Sequence, residues 1–464
     1  METTTALRRE LSVWEAIGLS LALMAPSMAA NINPQGTAGT VGRAVPLAFL
    51  LATVGVLLIA HTFVRLCQRF HHAGSVYGFV GATLGPRTGV VAGWSLLGTY
   101  VFYGVVTSTA AGIFGSAALG SLGIWPDPPP WAGFIVGAVA LVGVLALAIA
   151  PVRGGTRVLL IIEGVTVALI LIVTVVVFAR LATGSGPDPR GVDLSVFVPS
   201  GDPSALFLGA VFGFLSFAGF EAAATLGEET REPRRTIPRA ILGVAVFGGV
   251  YFVVVTAVEV MGFGTDDAGI AAFTSSSSLV GDLGARYVAA WVGDLITVGA
   301  AVSAFGCALA CAVGAARLVY ALARDGIAPR SLDAVSAGRG VPVRATVLVV
   351  AAMAVIVLIG VLTDGDPQGL FVASGTIGTL ILLVAYGLTT IGAARLLGRS
   401  WEVAIPVLGF ALIAVTLYEN AITPGLNPLI AALWVLAGIV IVLARPAAAE
   451  RAGASLTNAE GLHR

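Results

Sequence analysis

Runs of about 20 apolar residues recur from one end of this 464-residue chain to the other, and they leave few folds open. A helix of that length crosses the hydrocarbon core of a bilayer. In that solvent each backbone N–H and C=O has to be paired within its own helix or within a closed barrel. Twelve such runs are readable, with approximate limits 12–37, 45–67, 87–119, 131–150, 155–182, 204–227, 238–262, 286–322, 343–363, 369–397, 401–420 and 427–445. The first, third, fifth, eighth and tenth are long enough to tilt or to project beyond the bilayer. Composition agrees, at 57% hydrophobic and 11% charged residues with a mean hydropathy of +0.97. The 59 Gly suit closely packed membrane helices. The expected fold is all-α and polytopic, with 12 transmembrane helices.

Arginine sets the expected orientation. One set of loops carries Arg8, Arg9, Arg65, Arg69, Arg87, Arg153, Arg157, Arg231, Arg234, Arg235, Arg239, Arg324, Arg330, Arg339, Arg344, Arg395 and Arg399. The opposite set carries Arg43, Arg180, Arg190 and Arg286, among acids such as Asp127, Asp266, Asp267, Asp364 and Asp366. The positive-inside rule then places both termini in the cytoplasm of a multi-pass protein of the plasma (inner) membrane. The stretch from Val13 contains Glu15 and Pro26 and is followed by many more runs, so it reads as a first membrane helix, not a signal peptide. The Ala-rich, polar tail after Arg445 is expected to be disordered.

Several chemistries are disfavoured. All 25 basic residues are Arg, which removes any mechanism that needs a buried lysine. Cys67, Cys307 and Cys311 form no metal or disulfide pattern, and His61, His71, His72 and His463 lack ligand spacing. No cofactor, metal or nucleic-acid partner is expected, and no enzyme motif appears. The lipid bilayer is the expected surrounding.

Two of the runs are interrupted. In Phe212 to Glu229, Ser216, Ala218 and Gly219 weaken the helix, and Glu221 puts a carboxyl at membrane depth. A charge at a helix centre costs about 2.5–3.5 kcal/mol on insertion scales, so such residues face a cavity or a partner and mark function. In the first run, Met24-Ala-Pro-Ser-Met28 sets Pro26 in mid-helix, and Asn31, Asn33, Pro34, Gln35 and Gly36 follow, too polar and broken for a lipid-facing helix. Paired interruptions at matching places of two five-helix units are the pointer to a transporter with inverted repeats and a midplane site. Unrelated packing kinks are the competing explanation.

Three stretches resemble the amino acid–polyamine–organocation superfamily, in its amino-acid permease branch. Phe214-Leu-Ser-Phe-Ala-Gly-Phe-Glu-Ala-Ala-Ala-Thr-Leu-Gly-Glu-Glu229, continuing to Pro238, is similar to the sixth helix and the loop after it. Gly74-Ser-Val-Tyr77, with Gly85 and Gly93-Trp94, resembles the approach to helix three. Arg317-Leu-Val-Tyr-Ala-Leu-Ala-Arg-Asp-Gly-Ile-Ala-Pro329 resembles the end of helix eight. The resemblance implies a LeuT-like 5+5 inverted repeat with discontinuous helices 1 and 6. It divides the chain into a cytoplasmic segment 1–11, a transport core 12–397 holding helices one to ten, peripheral helices eleven and twelve over 398–445, and a cytoplasmic tail 446–464.

The resemblance also implies a site. Substrate carboxylate would be held at the broken first helix, over Met24, Ala25, Pro26, Ser27, Met28 and Ala29, by the N–H groups that the break leaves free. Substrate ammonium would be held by carbonyls at Ser216, Phe217, Ala218 and Gly219, with Phe217 as an aromatic lid, and Tyr100 and Tyr103 either line the site or pack in the core. Some members carry a Lys on helix five. Thr166 stands at that place here, and Glu163 lies one turn earlier on the same face. A carboxyl removed from water favours its neutral form, so Glu163 and Glu221 are candidate proton carriers. Ser303 and Asp294 on helix eight form a possible sodium site, ranked below the proton. Glu259 and Glu419 are expected near helix ends, in contact with water.

These readings converge on secondary active transport of amino acids, neutral ones favoured, by alternating access with proton coupling. A polyamine or other organic-amine permease, or an exchanger, is the alternative. A channel would show a continuous polar stripe along several helices, and a sensor would carry a soluble domain.

Overall fold

The computed structural model describes residues 12–70, 76–150, 155–188, 190–226, 230, 232–336, 340–363, 365–398 and 400–459. Its helices are α1 Val13–Met24, α2 Pro26–Val41, α3 Val45–Arg69, α4 Val76–Leu84, α5 Pro86–Ser121, α6 Ala132–Ala148, α7 Gly155–Thr183, α8 Ser204–Phe217 and α9 Pro233–Phe263. They continue as α10 Asp267–Ser275, α11 Leu279–Tyr287, α12 Ala290–Arg324, α13 Val343–Thr363, α14 Pro367–Leu397, α15 Ala404–Ile422, α16 Leu426–Ala444 and α17 Pro446–Ala459. Among the described residues, 9 helical stretches are long and apolar enough to cross a membrane, the first of them Val13–Arg69, and α6 and α8 are shorter apolar helices.

Burial separates centre from rim. In its most apolar window α5 is 83% buried, whereas α15 and α16 are 22% and 17% buried and turn Val and Leu side chains outward. A helix apolar on every face belongs either in a core or against lipid. α5 threads the middle, packed on α6, α12 and α14. Small residues permit those approaches. A Cβ on Gly112 would run into the Gly133 carbonyl of α6, and one on Gly137 would lie 2.9 Å from the Ser108 carbonyl. α16 is pinned to α5 by stacked Trp94 and Trp434, 5.2 Å apart, whose indole N–H groups each donate to the other's carbonyl.

The two interruptions lie together. α1 packs on the 3-10 turn Ala222–Leu226 that follows α8, and α2 packs along α8. α2 itself is not broken after Met28, as the polar run had suggested. It continues through Pro34 to Val41, because its polar side chains are buried against other elements and not exposed to lipid. Two further expectations are overturned. The tail past Arg445 forms α17, which docks buried Ala448, Ala449 and Ala452 on α4 and α5, with Arg87 paired to Glu450 at 2.7 Å. Glu259 is 1% exposed, because α10 and α11 fold back over the end of α9 and keep water from it.

Candidate functional site

The first break is one residue long. Ala25 has φ +46° and ψ +58°, a left-handed conformation strained for a side chain with a Cβ. Pro26 follows as the first residue of α2, where its missing N–H costs nothing. The α2 N–H groups are already engaged. Ser27 N–H donates to Glu163 Oε1 at 2.9 Å, Met28 N–H reaches Ser303 Oγ at 3.4 Å, and Ala29 N–H bonds Ala25 O at 2.9 Å. A helix N-terminus attracts an anion, and here the anion site is filled by the protein's own carboxyl. On the α1 side the Cys307 thiol donates to the Leu23 carbonyl at 3.0 Å.

The second break is longer. α8 stops at Phe217, Ala218 is extended, and Gly219 takes φ +100°. A Cβ on Gly219 would come within 2.7 Å of Leu23, so glycine serves both the turn and the close approach of α1. Local turns use the Phe217 and Gly219 carbonyls, which accept from Phe220 at 3.0 Å and Ala222 at 2.9 Å. Ser20 Oγ accepts from Ala223 N–H at 3.1 Å and ties α1 to the chain beyond the break. Ser216 Oγ receives Asn33 Nδ2 at 2.7 Å and donates to Phe212 O at 2.8 Å.

Around these breaks the expected residues fall into three places. Met24 and Phe217 face α9, with the Phe217 ring edge-on to Phe252 at 5.3 Å and both side chains against Gly248. Glu221 is buried, with Oε2 unpartnered, and lies within electrostatic range of Tyr100, Tyr103 and Tyr386. Tyr103 also shares a hydrogen bond with Thr379 at 3.1 Å. Glu163, Ser303 and Ser27 form the third group. Thr166 lies beside it, its hydroxyl turned to the Ile162 carbonyl at 2.9 Å and its side chain closely packed on Gly299 of α12. Asp294 does not join Ser303, since it lies nine residues earlier on the opposite face of α12 and is partly exposed.

One end of the site is closed by α2. Asn31 Oδ1 accepts from Ser278 Oγ at 2.9 Å, Val280 N–H at 3.0 Å and Gly281 N–H at 3.2 Å, so it caps α11 from another helix. Gln35 Nε2 donates to Phe273 O at 3.2 Å and Ser276 O at 2.5 Å, and Gln35 accepts from Gln368 at 2.7 Å. Beyond the helices, Thr265 Oγ1 donates to Asp193 at 2.6 Å and Ser195 N–H at 2.9 Å, which holds that carboxyl below its usual range. Burial pushes Asp282 above its own range. A cavity of about 620 Å³ opens at this end, lined by Arg43, Asp202, Thr265 and Asp267, and no residue of the breaks lines it. Tyr251, whose hydroxyl reaches Pro26 O at 3.3 Å, Cys307 and Asn31 were not assigned roles from sequence. Only the buried Asn carried a local signal.

The amino acid permease model matches residues 15–418. An uncharacterized transporter of Mycobacterium tuberculosis is 29% identical over 84% of this chain and 90% of its own length. The low-affinity putrescine importer PlaP of Escherichia coli is 30% identical over 70% of this chain and 69% of its own. The branched-chain amino acid permease BcaP of Bacillus subtilis is 24% identical over 82% and 80%. With that match over most of its length, and with helices able to cross a membrane, the chain belongs to the amino acid permease family of multi-pass membrane transporters.

Proposed function

We propose that this chain is a secondary active transporter that carries amino acids, neutral ones favoured, across the plasma membrane by alternating access with proton coupling. The observation that carries the reading is the bond from Ser27 N–H to Glu163. The N-terminus of α2 is where a substrate carboxylate would bind, and a charged Glu163 competes for it. A proton on Glu163 weakens that hold and frees the N–H for substrate. Proton and substrate then favour each other's binding, as linkage requires of coupled ligands. The ammonium group would bind at the second break, where no described hydrogen bond takes the Ser216 or Ala218 carbonyl.

The architecture fits. With α1–α2 as one broken crossing, α3, α5, α6, α7, α8, α9, α12, α13, α14, α15 and α16 complete twelve. The broken α1–α2 and the broken stretch after α8 then take equivalent places in a LeuT-like pair of five-helix repeats. The end beside α4 and α17, where Arg65, Arg69, Arg87, Arg324 and Arg445 lie, would face the cytoplasm. Sodium is the weaker choice of ion, because Asp294 lies away from Ser303.

A second reading has one observation in its favour. Glu221 holds an unpartnered oxygen among three tyrosines, which suits an ammonium group through charge and ring faces. That would favour a diamine, the substrate type named for PlaP. The test for the main reading is Glu163→Gln in proteoliposomes. Gradient-driven accumulation is expected to be lost while exchange continues. Unchanged accumulation would refute the coupling role.

A further inference from the structure

Glu259 is the most isolated carboxyl among the described residues. It lies in α9, is 1% exposed, and neither of its oxygens has a hydrogen-bond partner. An ionised carboxylate without partners inside a protein is costly unless it carries a proton. Its place is informative. Glu259 lies seven residues beyond Phe252 and eleven beyond Gly248, on the stripe of α9 that meets Phe217 and Met24 at the breaks. One turn later α9 ends under α10, where Phe263 packs on Phe273 at 5.6 Å.

We propose that Glu259 is a second proton-carrying group of the transport cycle, which exchanges protons with water at the α10–α11 end and communicates with Glu163 through Tyr251. Tyr251 lies two turns before Glu259 on α9, and both carboxyls are its electrostatic neighbours. Its hydroxyl bonds Pro26 O at 3.3 Å, and the next residue, Ser27, gives its N–H to Glu163. The charged or titratable groups on the elements packed against α9 include Glu15 on α1, His61 and Arg65 on α3, Glu163 on α7, Asp267 on α10, and Asp282, Arg286 and Tyr287 on α11. None of them is hydrogen-bonded to Glu259. In each cycle Glu259 enters protonated, passes that proton toward Glu163 when the α10–α11 end opens, and takes a replacement from the water there. It is neutral again before that end closes. The inference rests on the proton-coupled reading of Glu163.

The test uses full-length protein in proteoliposomes and measures labelled substrate accumulation against the pH on the α10–α11 side. With one proton per substrate, each pH unit supports about tenfold accumulation. Glu259→Gln is expected to reduce that response to under about twofold, to leave exchange at equal pH running, and to regain the response in Glu259→Asp. Tyr251→Phe is expected to flatten it likewise. Response lost in Glu163→Gln but intact in Glu259→Gln overturns the relay alone. A wild-type protein that ignores the gradient overturns the coupling and the relay together. Exchange lost in Glu259→Gln with no rescue by Asp assigns Glu259 a structural role and also overturns the relay.

Discussion

Replacing Asn31 with Ala removes the side chain that holds α2 to the α10–α11 hairpin. Its Oδ1 accepts from Ser278, Val280 and Gly281, and its amide donates to Ser27 O at 2.8 Å. The substitution leaves two N–H groups of the first turn of α11 without an acceptor. A lost helix cap costs about 0.5–2 kcal/mol, and a buried donor left unpaired about 1–3 kcal/mol. Water reaches these groups once the hairpin lifts, so the closed state loses about 2–3 kcal/mol relative to the open one. That raises the open population about 30- to 150-fold. Cys307 reports on it, because its thiol is bound to Leu23 O at the first break and buried. In a Cys67→Ala, Cys311→Ala background, a membrane-impermeant thiol reagent added on the α10–α11 side should label Asn31→Ala faster than wild type by that factor. Equal rates, or acceleration only from the opposite side, would refute the argument that Asn31 latches this end.

Gly219→Ala should cost about 1–3 kcal/mol from backbone strain, with more from the clash at Leu23. A fluorescence-detected melting curve should fall, and transport should fall with it; a wild-type melting point would remove the argument for glycine at that turn. Asp193 gives a pH signature. Its carboxyl is held low by Thr265, so its stabilising effect is full above the ordinary carboxylate range near pH 4 and is lost as pH falls through the lowered value. The melting difference between wild type and Asp193→Asn should therefore be constant at neutral pH and vanish only in strong acid.

Much of the helical layout was legible from apolar run length alone, because lipid leaves the backbone few options. The second break was legible too, since Gly219 and the small residues beside it mark it locally. The first was legible through Pro26, although Ala25 and not the proline takes the unusual conformation. What failed depends on distant contacts. Glu259 reads as an end-of-helix residue until α10 and α11 are known to cover it. The tail reads as disordered because α17 docks through alanines, which give no strong apolar pattern. Cys307 and Tyr251 meet the break from 284 and 225 residues away in sequence, beyond any local motif.

The most direct measurement is uptake of labelled amino acids, with putrescine in parallel, into sodium-free proteoliposomes with and without an inward proton gradient. Proton-coupled amino acid transport predicts accumulation of one or more amino acids that rises about tenfold per pH unit. Accumulation of putrescine alone would transfer the site to the diamine reading built on Glu221. Absence of both uptake and exchange of amino acids, with and without the gradient, would contradict the account.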